Sequence, residues 1–329
     1  MDKTTLVTGG TGLVGFNIIR SLLRRKRKVK ALVRSLEKGK RILPAEVELA
    51  EGDILNMDSL KKAAKGCQVI YHAAGWPEQW LRDPKDFYKV NVEGTQNMID
   101  TAIASGVDTF IYTSTIDVFE GKKGEHFDEQ VIARQPRNTH YERSKQLAFE
   151  QVIKSQQEGF PAISLHPAAV YGPGIPASPG INDFIVDLSK GKIPLLLPGG
   201  MPLVFSEDVG EGHVLAEEKG KLGESYILSD SYYELPAIAE ACMRFLRMDK
   251  KIPPVMPLSV VKVVSHIGEW ISRWSGKPPL IPKGQLEFLQ WGAIPDSSRA
   301  QRELGWEPLP LEKGLPLTIG FLKKEKMID

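Results

Sequence analysis

The 329-residue chain has few of the side chains that commonly bind metals or form disulfides. Its two cysteines, Cys67 and Cys242, are far apart in sequence and lack metal-ligand spacing. Its six histidines form no HxxxH or HxH arrangement. These patterns predict no metal site, and they favour two buried thiols over a disulfide.

The chain also lacks a strong charge of either sign and any long apolar run. Lysine and arginine total 43, and aspartate and glutamate total 41, for a net charge of +2. This balance gives no electrostatic case for nucleic acid or an anionic membrane as the main partner. The basic run RRKRK at 24–28 is interpreted as the decoration of a helix end. No apolar run approaches ~20 residues, which predicts no membrane span.

The first strand pattern begins almost at Met1, which leaves no room for a signal peptide. A cytoplasmic protein is therefore expected.

What the chain does have is a regular alternation of short apolar runs and helix-length segments. Buried-strand patterns are separated by such segments and lie at 4–10, 28–34, 47–53, 68–75, 109–115 and 162–170. Strands that alternate with helices predict an α/β fold, here a doubly wound parallel-sheet Rossmann domain.

A Pro/Gly-rich break, GPGIPASPG at 172–180, predicts a boundary within the chain. Residues 1–172 are assigned to the dinucleotide-binding Rossmann domain. Residues 173–329 are assigned mainly to a smaller C-terminal α/β lobe that binds the substrate. The strand-then-helix pattern at 202–216 is expected to rejoin the main sheet.

The turn TGGTGLVG at 8–15 lies between the first strand and the first helix. Gly9 would permit a tight turn, Gly12 would let the backbone approach a pyrophosphate, and Gly15 would allow close contact between helix and strand. Free N–H groups at the start of the helix would hold the phosphates. The turn therefore predicts dinucleotide binding.

The end of the second strand bears on which dinucleotide is bound. NAD is usually held there by an acidic side chain, but this strand ends at Arg34 and is followed by further basic residues. A guanidinium could bind the 2′-phosphate of NADP. NADP is therefore favoured, with NAD possible; the alternative is a solvated basic loop.

The stretch YERSK at 141–145 places Tyr141 and Lys145 on the same face of a helix, with Asn138 or Thr139 as its N-cap. An adjacent ammonium would lower the pKa of the phenol toward the range useful for proton transfer. Thr115 follows Ser114 at the carboxyl end of a strand, where open α/β sheets bind their ligands.

In their order and spacing, these motifs resemble those of the extended short-chain dehydrogenase/reductase superfamily, which includes NAD(P)-dependent epimerases, dehydratases and dihydroflavonol-reductase-like enzymes. The resemblance covers nearly the whole chain. It is carried by TGGTGLVG, GD at 52–53, HAAG at 72–75, NVEGT at 91–95, YTST at 112–115, YERSK, HPAAVYGPG at 166–174 and DSSRAQRELGW at 296–306.

The resemblance implies roles for particular residues. Tyr141 would be the acid/base, and Lys145 would lower its pKa and bind the nicotinamide ribose. Thr115 matches the catalytic hydroxyl position and Asn91 the asparagine that supports the site; the structural alternatives are a strand-end cap and a helix-start cap. The implied cofactor contacts are Gly9, Thr11, Gly12, Leu13, Val14, Gly15, Arg34, Asp53, Ile54, Ala73, Ala74, Gly75, Tyr141, Lys145, Pro167, Ala168 and Val170.

The expected activity is an NADP(H)-dependent oxidoreductase that reduces a carbonyl, or oxidises the alcohol, of a small hydrophobic substrate. Ile116 and Asp117 follow Thr115, so the acidic pair of the sugar-nucleotide 4,6-dehydratases is not matched. No cation for a sugar diphosphate can be identified around residues 201–203. Trp76 and Trp80 would line an apolar substrate pocket together with Thr115, or would pack under a long loop.

Two alternatives stay open. One is an NAD(P)-dependent nucleotide-sugar epimerase, which would show no net change of cofactor. The other is a non-catalytic NADP-binding redox sensor, which would not need both Tyr141 and Lys145. A homodimer could form through the helix near 90–105 and the helix that carries Tyr141.

Overall fold

The structure is a computed structural model and describes residues 3–174 and 180–329. The strands are β1 (Thr4–Thr8), β2 (Lys28–Val33), β3 (Glu48–Glu51), β4 (Val69–His72), β5 (Thr109–Thr113), β6 (His126–Phe127), β7 (Ala162–Pro167), β8 (Ala169–Tyr171), β9 (Gly200–Phe205), β10 (Ser225–Leu228), β11 (Ser231–Glu234) and β12 (Ile294–Pro295). The helices are α1 (Leu13–Arg24), α2 (Leu36–Ile42), α3 (Met57–Ala64), α4 (Lys85–Phe87), α5 (Gly94–Ser105), α6 (His140–Gln157), α7 (Ile181–Ser189), α8 (Ser206–Lys219), α9 (Leu235–Phe245), α10 (Leu258–Ser275), α11 (Lys283–Trp291), α12 (Ser298–Leu304) and α13 (Leu311–Lys324). A π-helical segment (Tyr88–Glu93) joins α4 to α5, and a 3-10 turn (Ile116–Val118) follows β5.

Seven parallel strands form the central sheet in the order β10-β7-β5-β4-β1-β2-β3. Strands β4 and β7 are buried along their whole length, as expected of strands covered by helices on both faces. From β1 the chain builds outward to β3, and then returns to β4 on the other side of β1. The carboxyl ends of β1 and β4 therefore border the crevice where doubly wound sheets bind ligands. The predicted fold class is confirmed.

The second half of the chain divides its elements between two sheets. β9 pairs with β8 and β11 in a small three-stranded sheet, so the strand of the 202–216 unit does not rejoin the main sheet, and that expectation is wrong. The short strand β8 directly follows β7 and offers β9 a parallel edge away from the main sheet. β10 instead takes the outer position beside β7.

Helix α8 does return to the main domain, where it packs along α1. The approach is so close that a Cβ on Gly210 would lie 2.4 Å from the Asn17 carbonyl oxygen. The two lobes are therefore interleaved in sequence after residue 172. Residues 175–179 of the predicted Pro/Gly-rich break lie outside the described residues.

The basic run at 24–28 binds acidic residues of α8. Arg25 donates to Glu211 and Glu218, and Arg27 donates to the buried Glu217 carboxylate. The run thus joins α1 to α8. Its place at the end of α1 agrees with its interpretation as the decoration of a helix end.

Both cysteines are buried and free, which confirms that prediction. Burial raises the pKa of Cys67 and brings the pKa of Cys242 to about 12, so neither thiol has thiolate character at neutral pH. Over residues 3–174 and 180–329, no helix has the length and apolar character needed to cross a bilayer. The same residues hold no cluster of three or more metal-ligating side chains.

Candidate active site

The glycine turn after β1 is shaped by close backbone contacts. Gly9 has a φ of 71°, and a Cβ there would lie 2.5 Å from the Ala73 carbonyl oxygen. A Cβ on Gly15 would lie 2.3 Å from the Gly9 carbonyl oxygen. Helix α1 begins directly after this turn, with Gly12 as an N-cap that has no side chain to bind the first N–H groups. The turn therefore presents helix N–H groups to the crevice in the way that a pyrophosphate requires.

The basic residue that follows β2 lies beside an aromatic ring. The exposed Arg34 guanidinium is 5.9 Å from the centre of the Trp76 ring. Trp76 and Trp80 are both half-buried in the loop after β4. Their substrate roles remain predictions.

Asp53 and Ile54 follow β3 at the same edge of the sheet. Asp53 caps its own turn by accepting a 2.9 Å bond from the Leu55 N–H. Ile54 is buried, and its side chain is so close to α5 that a Cβ on Gly94 would lie 2.6 Å from it. The two residues form one wall of the crevice, and their adenine contact remains a prediction.

A chain of buried hydrogen bonds crosses the floor of the crevice from β1 to the π-helical segment. The Thr95 hydroxyl donates to the Asn91 carbonyl at 2.6 Å, so it can only accept from His72 Nε2, at 3.1 Å. His72 Nδ1 must then accept from the Thr8 hydroxyl at 2.8 Å, while Thr8 accepts from the Ala74 N–H. Burial lowers the pKa of His72 to about 3, so the ring is neutral and this tautomer is fixed.

Asn91 links the loop after β4 to helix α6. Its side chain accepts from the Trp76 N–H at 2.7 Å and donates to the Ser144 hydroxyl at 2.9 Å. Only 2% of the residue is exposed. The π-helical turn shifts Asn91 relative to an ordinary helix, a feature often found at functional sites. Asn91 therefore joins the loop after β4 to α6, and its supporting role in the site remains a prediction.

Helix α6 carries Tyr141 and Lys145 and begins with a full capping box. Thr139 accepts from the Glu142 N–H at 3.1 Å, and the Glu142 carboxylate accepts from the Thr139 N–H. Of the two predicted N-caps, Thr139 is therefore the one used. This cap holds the first turn of the helix, which places Tyr141 at the carboxyl end of β5.

Lys145 is buried against the end of β5. Its Nζ donates to the Thr113 carbonyl at 2.9 Å and to the Tyr112 hydroxyl at 3.4 Å, and it lies 5.0 Å from the centre of the Tyr112 ring. Burial lowers the pKa of Lys145 to about 8, although the Asp117 carboxylate acts in the opposite direction. The ammonium is held rigidly, with a pKa close to physiological pH.

Tyr141 is half-buried, and its ring packs edge-on against Phe87 at 6.3 Å. Burial and then the Asp117 carboxylate raise the pKa of Tyr141 above its usual value, and a hydrogen bond to Thr115 acts in the opposite direction. Lys145 was expected to lower the pKa of Tyr141, but burial and the Asp117 carboxylate raise it. The ammonium is committed to Thr113 and Tyr112, while a carboxylate lies close to the phenol.

Thr115 and Asp117 are joined by a hydrogen bond. In the sequence, Asp117 stood out only because the acidic pair of the sugar-nucleotide 4,6-dehydratases is not matched after Thr115. The Thr115 hydroxyl donates to the Asp117 carboxylate at 2.9 Å, which leaves the Thr115 oxygen free to accept from the phenol. Burial, followed by the nearby Glu142, raises the pKa of Asp117 to about 7. The signal in the sequence was that Asp117 lies two residues after Thr115. The 3-10 turn brings Asp117 back to Thr115, which is the N-cap of that turn.

Residues after β7 complete the edge beside Thr115. β7 pairs with β5 in the register Leu165 to Thr113, so Pro167 and Ala168 lie next to Thr115. Ala168 is buried and donates to the Leu228 carbonyl, whereas Val170 is half-buried in β8. These positions border the crevice where the resemblance expects the nicotinamide.

A cavity of about 330 Å³ adjoins this edge. Its aromatic residues are Phe288 and Trp291 of α11. Sequence reasoning singled out Trp291 only as part of the tail, because nothing local shows that α11 returns to the active edge. The remaining lining residues are Asp117, Arg137, Asn138, Glu142, Glu287 and Gln290.

Comparison with known proteins agrees with this geometry. Residues 5–229, more than half of the chain, match the NAD dependent epimerase/dehydratase family. The chain belongs to this family and is an NAD(P)-dependent enzyme of the extended short-chain dehydrogenase/reductase type. The resemblance stated from the motifs is thereby confirmed.

Individual relatives span nearly the whole chain. It is 28% identical over 331 residues to the sterol demethylase protein B of Methylococcus capsulatus, covering 99% of this chain and 100% of that protein. It is 27% identical over 324 residues to a Synechocystis protein that bears the name of a dihydroflavonol 4-reductase, covering 96% and 93%. The crystal structure of gox2253 superposes with a TM-score of 0.85 at 30% identity, covering 100% of both chains.

Proposed function

We propose that the protein is an NADP(H)-dependent oxidoreductase that reduces a carbonyl, or oxidises the corresponding alcohol, of a hydrophobic substrate. The observation that carries this proposal is the convergence of Thr115, Tyr141 and Lys145 at the carboxyl end of β5. The glycine turn fits the coenzyme, because Gly9 and Gly15 let the turn pack against protein backbone, and this packing leaves the N–H groups at the start of α1 facing the crevice. When bound, the coenzyme supplies the hydride.

The proton chemistry belongs to the chain itself. Because the pKa of Tyr141 is raised, its phenol is protonated at neutral pH and can donate a proton to a substrate oxygen. Thr115 would bind the same oxygen by turning its hydroxyl proton from the Asp117 carboxylate, to which it donates in this structure, toward the substrate.

The cavity favours an apolar substrate over a nucleotide sugar. Phe288 and Trp291 supply aromatic surface. The carboxyl groups of Asp117, Glu142 and Glu287 outnumber the one cation among the described lining residues, Arg137, which donates to the Phe119 carbonyl, so a diphosphate would meet an excess of acidic groups. The two named relatives point to the same chemistry, since a sterol and a dihydroflavonol are both largely apolar ring systems. Preference for NADP is proposed from Arg34, which is exposed where a 2′-phosphate would bind.

The test is a panel of steroid ketones, flavanones and UDP-sugars, with oxidation of NADPH and of NADH followed by absorbance. Oxidation of NADPH with an apolar ketone, at a rate above that with NADH, is expected. Interconversion of UDP-sugars without any net change of cofactor would show an epimerase instead. Tight NADPH binding without turnover of any compound would favour a sensor.

Pairing of two copies through α5 and α6 is proposed as well, and size-exclusion chromatography with light scattering tests it.

A further inference from the structure

Helix α10 has three distinct faces. The inward face holds Val261, Ser265 and Ser272, which are at most 3% exposed. A second face is polar and carries Lys262, His266, Glu269 and Arg273. The third face, called here the outer apolar stripe, consists of Val260, Val263, Ile267, Trp270, Ile271 and Trp274.

The outer apolar stripe is open to solvent along its whole length. Its residues are between 47% and 80% exposed, and Trp274 is the most exposed of them. The two tryptophan rings lie 6.4 Å apart, and Leu280, which is 85% exposed, follows a proline that packs against Gly268 of the helix. Single exposed apolar residues are ordinary, but a continuous patch of this kind marks an interaction surface.

The charges around the stripe are strongly biased toward one sign. Residues 250–280 contain one acidic residue, Glu269, whose carboxylate accepts from the Lys283 N–H. The five basic residues of the same span are all exposed and are Lys250, Lys251, Lys262, Arg273 and Lys277. In the chain as a whole, basic residues outnumber acidic residues by only two. The small net charge therefore conceals a basic, apolar face.

We propose that α10 lies flat on the surface of an anionic lipid bilayer, with the outer apolar stripe inserted among the acyl chains and the basic residues on the headgroups. An exposed apolar face with tryptophans, bordered by lysine and arginine, is the composition of helices that lie in the membrane interface. Each basic side chain near such a surface adds attraction to anionic lipids. Such a helix need not be able to cross the bilayer.

A second copy of the chain fits this face less well. A two-fold contact would bring the stripe against itself and place Lys262, Arg273 and Lys277 of both copies close together. Like charges would then repel each other, and lysine is depleted at the cores of protein interfaces. An anionic lipid surface meets the apolar residues and the positive charge at once.

The position of α10 gives docking a use. α10 packs on α11 and is tied to its start by the bond from the Lys283 N–H to Glu269, which is 3.0 Å long. α11 in turn lines the cavity through Phe288 and Trp291. Docking would place the cavity close to the bilayer, so an apolar substrate could enter from the lipid; this part rests on the proposed function.

Co-sedimentation of the full chain with vesicles tests the docking. One vesicle preparation is phosphatidylcholine alone, and the other is an equal mixture of phosphatidylcholine and phosphatidylglycerol. We expect binding to the mixed vesicles, with a blue shift of tryptophan fluorescence. The double variant Trp270→Ser/Trp274→Ser should bind at least roughly tenfold more weakly. Lys262→Glu/Lys277→Glu should weaken binding to the anionic vesicles, and added salt should weaken the binding of the unaltered chain.

The matched control is Leu222→Ser/Leu317→Ser, which removes two residues of similar exposure outside the stripe and should bind as the unaltered chain does. Recovery of the chain in the supernatant with both preparations would overturn the proposal, as would equal binding by the double tryptophan variant. If the unaltered chain is a dimer that does not bind vesicles, and the double tryptophan variant is a monomer, then the stripe binds a second copy of the chain instead. Turnover of a soluble ketone without vesicles tests the proposed function separately, so failure of one leaves the other standing.

Discussion

The two ends of the crevice use different physics. The glycine end, made of Gly9, Gly15, Arg34 and Trp76, depends on backbone that has no room for side chains and on one exposed cation. The tyrosine end consists of Thr115, Asp117, Tyr141 and Lys145, whose titratable groups are shifted from their ordinary pKa values by burial and by one another.

The difference teaches where binding and chemistry are decided. Under the proposed function, shape and surface charge at the glycine end would select the coenzyme, and neither would respond much to pH. Buried charges at the tyrosine end decide where a proton resides, because low solvent screening strengthens every interaction there. Substitutions at one end should therefore leave the property of the other end intact.

The largest effect is expected for Tyr141→Phe. Loss of the phenolic proton donor should reduce kcat/KM for ketone reduction by about 10²- to 10⁴-fold. Affinity for NADPH, measured by fluorescence titration, should change little because the glycine end is untouched. Tyr88→Phe is the control, since this tyrosine bonds to His140 at the start of the same helix. An equal loss in both variants would contradict a special role for Tyr141.

Gly9→Ala should do the reverse and reduce coenzyme affinity. Its Cβ would lie 2.5 Å from the Ala73 carbonyl oxygen, and its φ of 71° is strained for alanine. The turn must move, so we expect a loss of at least roughly tenfold in NADPH affinity and of about 1–3 kcal/mol in the free energy of unfolding.

The control for this prediction is Gly66→Ala. Gly66 has a similar φ of 76°, but a Cβ there would meet nothing within 4 Å. Gly66→Ala therefore introduces the backbone strain without the clash. Calorimetry and coenzyme titration on both variants then separate the effect of the strain from the effect of the clash. Unchanged NADPH affinity in Gly9→Ala would refute the shape argument for the glycine end.

Arg34→Ser should alter the choice between coenzymes without affecting the chemical step. Loss of a charge-assisted bond to the 2′-phosphate is expected to lower the preference for NADPH over NADH by roughly ten- to a hundredfold in kcat/KM. Lys40→Ser, at an exposed position on the nearby helix α2, is the control. A preference that stays the same would mean that the basic residues after β2 are only a solvated loop.

The last prediction concerns the shape of pH profiles. The pKa of Asp117 is about 7 in the folded protein against an ordinary 3.8, so as the pH rises the unfolded chain releases this proton first. The free energy of unfolding should therefore fall between about pH 4 and about pH 7 and then level off. In Asp117→Asn this slope should shrink, and an inflection of kcat/KM near pH 7 should disappear. Denaturant unfolding across pH, with matching kinetics, checks both.

Much of the glycine end could be predicted because its requirements are local. A turn between a strand and a helix needs particular residues at particular spacings, and Gly9, Gly12 and Gly15 meet that need within eight positions. Tyr141 and Lys145 were likewise proposed from one helical turn, and the capping box at Thr139 confirmed where that helix begins.

Local patterns do not reveal contacts between distant segments. Trp76 lies beside Arg34, the cavity aromatics come from α11, and β9 pairs in the small sheet, although the sequence pattern predicts that it rejoins the main sheet. Nor does a local pattern show that burial and the Asp117 carboxylate raise the pKa of Tyr141.

By itself, the sequence determined the alternation of strands and helices, the glycine turn and the placing of Tyr141 and Lys145 on one face of a helix, since each depends on neighbours within about one turn or one strand. Only the tertiary structure decided the charge state of those side chains, the lining of the cavity and the exposure of the apolar stripe on α10. Those properties depend on which distant residues exclude water from a side chain, and the folded chain alone brings such residues together.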